Sequence, residues 1–181
     1  MKEQKGEEKT QLNRTSAPTS LGQDIIYLLI KIAVIVFIVV LLFTFMFGVH
    51  RVIDISMQPA IQDGDIVVFY RLDKTYVASD VLIVRYNGEQ QVRRVIAVAG
   101  DVVDITEDGL LVNDSRVQES NIQEETLRYE EGISFPLTVK AGQVFVLGDG
   151  RERSIDSRLY GAVETKDTLG KVMMIVRRRN I

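Results

Sequence analysis

The chain has 181 residues, a formal net charge of -3 from 22 basic and 25 acidic side chains, one histidine and no cysteine. That length holds one domain with a real core once the ends are set aside, and the charge lacks the basic excess that makes nucleic acid a credible partner. The lack of cysteine removes disulfides, thiol catalysis and thiolate metal sites; His50 without HExxH or paired-histidine spacing sets zinc hydrolysis aside, so no metal and no other cofactor is expected.

Residues 1–24 are rich in Lys, Glu, Gln, Ser and Thr and bury too little apolar surface to offset chain entropy, which predicts a flexible tail. Residues 25–49 are apolar apart from Tyr27, Lys31 and Thr44, and Ile32 to Val49 gives 18 residues without a charge, a predicted transmembrane helix. Lys31 lies where its stem stays in hydrocarbon while the ammonium reaches the headgroups. A cleaved secretory signal has a shorter apolar stretch and small residues at the cut site, whereas this run ends Phe45-Met46-Phe47-Gly48-Val49, so an uncleaved anchor in the lipid bilayer is expected. Lys2, Lys5, Lys9 and Arg14 tip the tail towards the cytoplasm, which puts residues 50–181 on the extracytoplasmic side of a single-pass cell-membrane protein.

Beyond the anchor, short Val/Ile-rich runs alternate with turn residues, as in Asp65–Tyr70 and Val81–Tyr86. Asn87-Gly88 between Val81–Tyr86 and Gln91–Val98, and Asp108-Gly109 between Val102–Ile105 and Leu110–Val112, carry hairpin chemistry. Ser120 to Gly132 is polar without a period and reads as an excursion loop, after which Val144–Leu147 and Lys171–Arg177 resume the strand pattern. The fold class is mostly β: one N-terminal transmembrane helix followed by a single antiparallel β-rich domain.

Four segments are candidates for chemistry: Ser56-Met57-Gln58-Pro59; Gly64-Asp65-Ile66-Val67-Val68; Arg93-Arg94-Val95-Ile96-Ala97-Val98-Ala99-Gly100-Asp101; and Gly148-Asp149-Gly150-Arg151-Glu152-Arg153-Ser154-Ile155-Asp156-Ser157-Arg158. Six residues separate Val49 from Ser56, so an extended linker keeps Ser56 within roughly 20 Å of the membrane surface. Taken singly each segment is weak, and an isolated Ser-x-x-Pro is ordinarily a turn serine. In this order and spacing behind one anchor they resemble the boxes of the signal peptidase I family, of the Gram-positive single-span type, from about the anchor to the C-terminus.

The resemblance implies a β-rich serine endopeptidase that removes signal peptides from secretory preproteins through a Ser/Lys dyad. It makes Ser56 the nucleophile, gives Met57 and Val92 to the pocket for small substrate side chains, and gives Ser154, Asp156 and Arg158 the task of orienting the dyad. Gly64-Asp65 and Gly100-Asp101 read as turns that set strand ends.

The sequence departs from the family at its general base. The family's lysine precedes Arg-Val-Ile, and here that position is Arg93. A serine hydroxyl needs a neutral neighbour to take its proton, and burial can make a lysine one; a guanidinium keeps its proton and offers no lone pair. His50 reads as an interfacial residue, and Lys74 and Lys140 as solvated turn or strand-end charges. Gly150 stands where Asn is usual, Ala97-Val98-Ala99 replaces the common Gly-Leu-Pro, and Asp54 occupies a position where some relatives place a hydroxyl that assists the oxyanion.

Two functions follow from the resemblance. The first is an active signal peptidase I-type endopeptidase acting on a small-x-small motif of a preprotein. The second, motivated by Arg93, is a signal-peptidase-like protein that binds signal or sorting segments without cutting them and assists surface-protein or pilus assembly, since related sequences occur beside pilus and sortase systems of Gram-positive bacteria. A third, a β domain that merely displays a binding surface, leaves the ordered motifs to chance.

Overall fold

The computed structural model describes residues 21–122 and 124–177, and the predicted tail lies outside these up to Ser20. The chain forms two compact units, one ending at Leu41 and the other starting at Leu42.

Helix α1 (Leu21–Met46) has 26 residues, none of them buried. Its length of about 39 Å exceeds the roughly 30 Å of a bilayer's hydrocarbon core, and its composition is apolar enough to cross one. It starts four residues before the predicted Ile25 and stops at Met46 rather than Val49. Phe47, Gly48 and Val49, predicted helical, instead open strand β1 (Phe47–Arg51), where they pair with Tyr70, Phe69 and Val68. An apolar run cannot by itself announce such a change from helix to strand, because both structures bury the same side chains.

The strands that follow are β2 (Ile66–Tyr70), β3 (Val81–Tyr86), β4 (Glu89–Val98), β5 (Val102–Thr106), β6 (Gly109–Val112), β7 (Ser115–Arg116), β8 (Leu137–Thr138), β9 (Gln143–Leu147), β10 (Val163–Glu164) and β11 (Gly170–Val176); a short helix α2 (Ser157–Tyr160) precedes β10. Among the described residues they form a seven-stranded sheet, in the order β1-β2-β11-β3-β4-β9-β10, and a four-stranded sheet, β7-β6-β5-β8. All the pairings are antiparallel, as the hairpin chemistry predicts. Asn87 and Gly88, both at positive φ, close the β3–β4 hairpin with Tyr86 opposite Glu89. In the second hairpin the turn sits one residue earlier than expected, on Glu107-Asp108, with Gly109 already paired to Thr106. No strand interrupts the described part of Val117–Pro136, in keeping with the predicted excursion.

Period-two alternation sorts side chains onto the two faces of the large sheet. On β3, Ile83 joins Val52, Met57, Ile61, Val67, Phe69 and Val92, whereas Leu82 and Val84 join Tyr76, Val95, Val144 and Val146. On β9, Phe145 and Leu147 point instead to a third cluster with Val103, Ile105, Leu110 and Val139 of the smaller sheet's side. Strands β3, β4 and β9 are thus covered on both faces, which accounts for their nearly unbroken apolar sequence. Asp65 and Asp101 set turns, as expected, by accepting from the amides of Gln62 and Val98 at 3.0 and 2.9 Å.

Strand β11 inserts between β2 and β3 through Gly170, whose φ is 154° and at which a Cβ would lie 2.1 Å from the Tyr70 carbonyl oxygen. Backbone cannot retreat as a flexible side chain does, so Gly170→Ala is expected to destabilise the β domain by at least about 2 kcal/mol, seen as a lowered Tm of the full chain in detergent. A Tm unchanged within one degree would contradict this close approach.

Candidate active site

Two polar segments converge on the face of β4 that carries Arg93. The strand holds Arg93 opposite Leu82 of β3, and alternation sends Arg93 and Arg94 to opposite sides. The turn after β1 brings in Asp54 and Ser56; the loop after β9 brings in residues 148–158.

Ser56 and Arg93 are each 2% exposed. The Arg93 Nη1 donates to Ser56 Oγ at 2.6 Å and to the Val92 carbonyl at 2.6 Å. Its Nε and Nη2 both donate to the Ile155 carbonyl, at 3.0 and 2.8 Å. Ser56 Oγ donates in turn to Asp54 Oδ1 at 2.8 Å, and the Ser56 amide reaches the same oxygen at 3.2 Å. Asp54 Oδ2 stands 3.8 Å from Arg93 Nη1, and the Asp54 side chain is 39% exposed, the solvent-facing member of the trio.

Neighbouring groups that could serve as bases are held neutral or turned elsewhere. Burial pushes the Tyr129 and Tyr160 phenols up, against the lowering influence of Arg158 on the first and of Arg93 on the second, so both keep their protons. Burial, with Arg71 beside it, pulls the Lys74 ammonium down, but Lys74 donates to the Thr168 carbonyl. The expectation that Lys74 is a fully solvated charge is therefore corrected, because the β domain partly encloses it. Burial likewise lowers His50, with Asp54 opposing; Ser56 Oγ bonds to Arg93 and Asp54 and not to this imidazole.

Asp156 and Arg158, expected to orient the dyad, bond to each other and to the backbone around them. Asp156, fully buried, accepts from Arg158 Nε and Nη2, both at 2.9 Å, and from the amides of Arg158 and Gly148 at 3.1 Å. Arg158 also donates to the Arg151 carbonyl at 2.5 Å, and Arg151 to the Gly148 carbonyl at 2.9 Å, to Thr126 and to Glu119. This web fixes two backbone groups at the site: the Ile155 carbonyl that holds Arg93, and the Gly150 amide, which donates to the Ser56 carbonyl at 2.8 Å. Ser154 makes a different contact from the one expected, since among the described residues its buried Oγ has no hydrogen-bond partner while Tyr129 donates to its carbonyl. It fills the space above Gly148, where a Cβ would stand 2.1 Å from Ser154 Oγ and 2.6 Å from the Ser56 carbonyl oxygen. On the other side of β4, Arg94 clamps Asp149 through two bonds of 2.7 and 2.6 Å. Met57 and Val92, expected in a substrate pocket, lie together in the core cluster beside Val52 and Phe69 at 0% and 1% exposure. An open cleft lined by Tyr129, Ser154, Ile155 and Leu159 adjoins the segment that holds Arg93.

Two participants escaped the sequence. The Ile155 carbonyl has no side-chain signature, and Asp54 carried a position but no orientation until the turn after β1 was seen to fold its carboxylate onto Ser56.

Residues 25–177 match the signal peptidase family, peptidase S26. Signal peptidase I of Bacillus licheniformis is 29% identical over 153 residues, covering 77% of this chain and 81% of that protein. Signal peptidase IB of Staphylococcus aureus is 29% identical over 171 residues, 84% of this chain and 89% of its own length. The chain also resembles a solved signal peptidase I from Enterococcus faecalis V583, at 28% identity and a TM-score of 0.46, covering 55% of this chain and 97% of that one.

Removing one member of a buried ion pair strands the other in low dielectric. Asp156→Ala is therefore expected to cost about 3–5 kcal/mol in denaturant unfolding, and adding Arg158→Leu to recover much of it. Equal losses in single and double variants would show that the pair is not what holds the 148–158 segment.

Proposed function

The chain belongs to the signal peptidase family, peptidase S26, and on that footing we propose that it is a membrane-anchored serine endopeptidase of the signal peptidase I type, cutting signal peptides from secretory preproteins. Helix α1 crosses the bilayer with its N-terminus in the cytoplasm, and the β domain works on the extracytoplasmic side. Ser56 attacks the peptide bond after a small-x-small motif, an acyl-enzyme forms, and water releases it. One observation carries this reading: the Ser56 hydroxyl, buried and held by Arg93, donates its hydrogen bond to a carboxylate 2.8 Å away, so the nucleophile has an acceptor for its proton. The relatives' names, signal peptidase I and signal peptidase IB, support the same reaction class.

A second reading is favoured by Arg93 itself. Its Nη1 donates into the Ser56 oxygen at 2.6 Å, and a guanidinium donor at that oxygen competes with nucleophilic attack. Under this reading the protein engages a signal or sorting segment without cutting it and assists surface-protein or pilus assembly.

Wild type, Ser56→Ala and Arg93→Lys, each presented with a preprotein in proteoliposomes, separate the two. Peptidase function predicts cleavage by wild type and loss of at least about 1,000-fold in Ser56→Ala. An inert wild type matched by Ser56→Ala and by Arg93→Lys, with the preprotein's signal segment still crosslinking to the wild-type β domain, establishes the binding reading instead.

A further inference from the structure

We infer that Asp54 is the general base of this site, taking the Ser56 proton in place of the lysine that Arg93 has displaced. The inference rests on the peptidase reading and gives its proton acceptor a role in each step of the reaction.

The Ser56 hydroxyl has one proton to donate. Its two bonded neighbours are Arg93 Nη1, which has no lone pair, and Asp54 Oδ1 at 2.8 Å. The proton therefore lies on the Asp54 side. Arg93 cannot swing away to change this, because Nε and Nη2 are fixed on the Ile155 carbonyl and Nη1 on the Val92 carbonyl. Its charge stays 2.6 Å from the attacking oxygen and 3.8 Å from Asp54 Oδ2.

A carboxylate that stayed charged would repel a developing oxyanion, and this placement avoids that. As Ser56 Oγ bonds to the carbonyl carbon, its proton passes to Asp54 Oδ1 and the carbonyl π pair moves to oxygen. Negative charge thus leaves the carboxylate as it appears on the oxyanion, and the cluster's net charge is constant beside a fixed guanidinium. The neutral acid also loosens its hold on the Ser56 amide, at 3.2 Å in the resting site, and frees that N–H for the oxyanion. Asp54 then returns the proton to the leaving amine as the C–N bond breaks. In the second half a water loses a proton to Asp54 while attacking the acyl carbon, and that proton returns to Ser56 Oγ as the ester bond breaks. Each step conserves protons without a further co-reactant.

The charged or titratable groups that face Asp54 are Arg93 on β4 and His50 on β1. His50, lowered by burial, is largely neutral at neutral pH and adds no competing charge there.

The test uses the full chain in detergent micelles with an internally quenched peptide carrying an Ala-x-Ala cleavage motif, assayed from pH 4 to 9. Wild-type kcat/KM is expected to fall on the acid side of the range only, because a carboxylate works as a base in its deprotonated form. Asp54→Asn keeps the shape but cannot accept the proton, so kcat, measured below the variant's own Tm, is expected to drop at least about 100-fold with KM within about threefold. His50→Gln is expected to leave the acid limb in place. Wild-type kcat at every pH in Asp54→Asn, while Ser56→Ala is inactive, overturns the inference and leaves the peptidase reading standing. A limb that moves with His50→Gln also overturns it. A wild type that cleaves nothing, like Ser56→Ala, removes both. Should Asp54→Asn fail to fold, the wild-type profile decides: a midpoint above pH 7 assigns an amine base and defeats Asp54.

Discussion

A guanidinium that cannot shed its proton must be satisfied where it stands, and Arg93 stands at 2% exposure in the middle of the large sheet. Its hydrogen bonds go to Ser56, to Val92 and twice to Ile155, and its nearest countercharge, Asp54, is 3.8 Å away. These partners come from three places in the chain: the turn after β1, β4 itself and the loop after β9. One buried cation therefore ties together the segments that make the site. Removing its carbonyl partners would leave a desolvated charge, so the backbone around Ile155 is held as firmly as the side chains it serves.

That backbone is secured by further arginines, each used differently. Arg158 takes Asp156 in a bidentate grip and reaches the Arg151 carbonyl, Arg151 grips the Gly148 carbonyl, and Arg94 pins Asp149 from the other face of β4. Their planar forks match carboxylates and carbonyls in a way that a lysine ammonium does not. The loop carries Gly148 because its neighbours approach too closely for a larger residue, while a Cβ at Gly150 would make a tight contact of 3.1 Å with the Ile55 carbonyl oxygen.

The sequence made the outline of this site legible because its strongest signals were side chains in a fixed order. Ser56 and Arg93 were singled out from motifs 37 residues apart, and the fold brings them to 2.6 Å. Strands β3, β4, β9 and β11 were visible from apolar runs bounded by turn residues. What stayed hidden has three physical causes. The end of α1 at Met46 depends on pairing with β2, which an apolar run does not encode. The Ile155 carbonyl is backbone, which every residue has. Lys74 looked solvated because its enclosure by Thr168 comes from a segment 94 residues away.

Asp54 shows why an arginine at position 93 cannot be judged alone. A buried lysine can serve as a base because desolvation makes its neutral form accessible, and a carboxylate in contact would undo that by favouring the ammonium. An arginine reverses the requirement: it is charged in any surroundings, so a nearby carboxylate compensates it and disables nothing. Arg93 and Asp54 are thus compatible with each other, and each is poorly suited to the other's counterpart in a lysine-based site. A lysine placed at position 93 beside Asp54 would be held as a cation by the carboxylate, and a neutral residue at 54 would leave Arg93 without its nearest countercharge. The surroundings of the Ser56 hydroxyl are set by the pair and not by either residue separately.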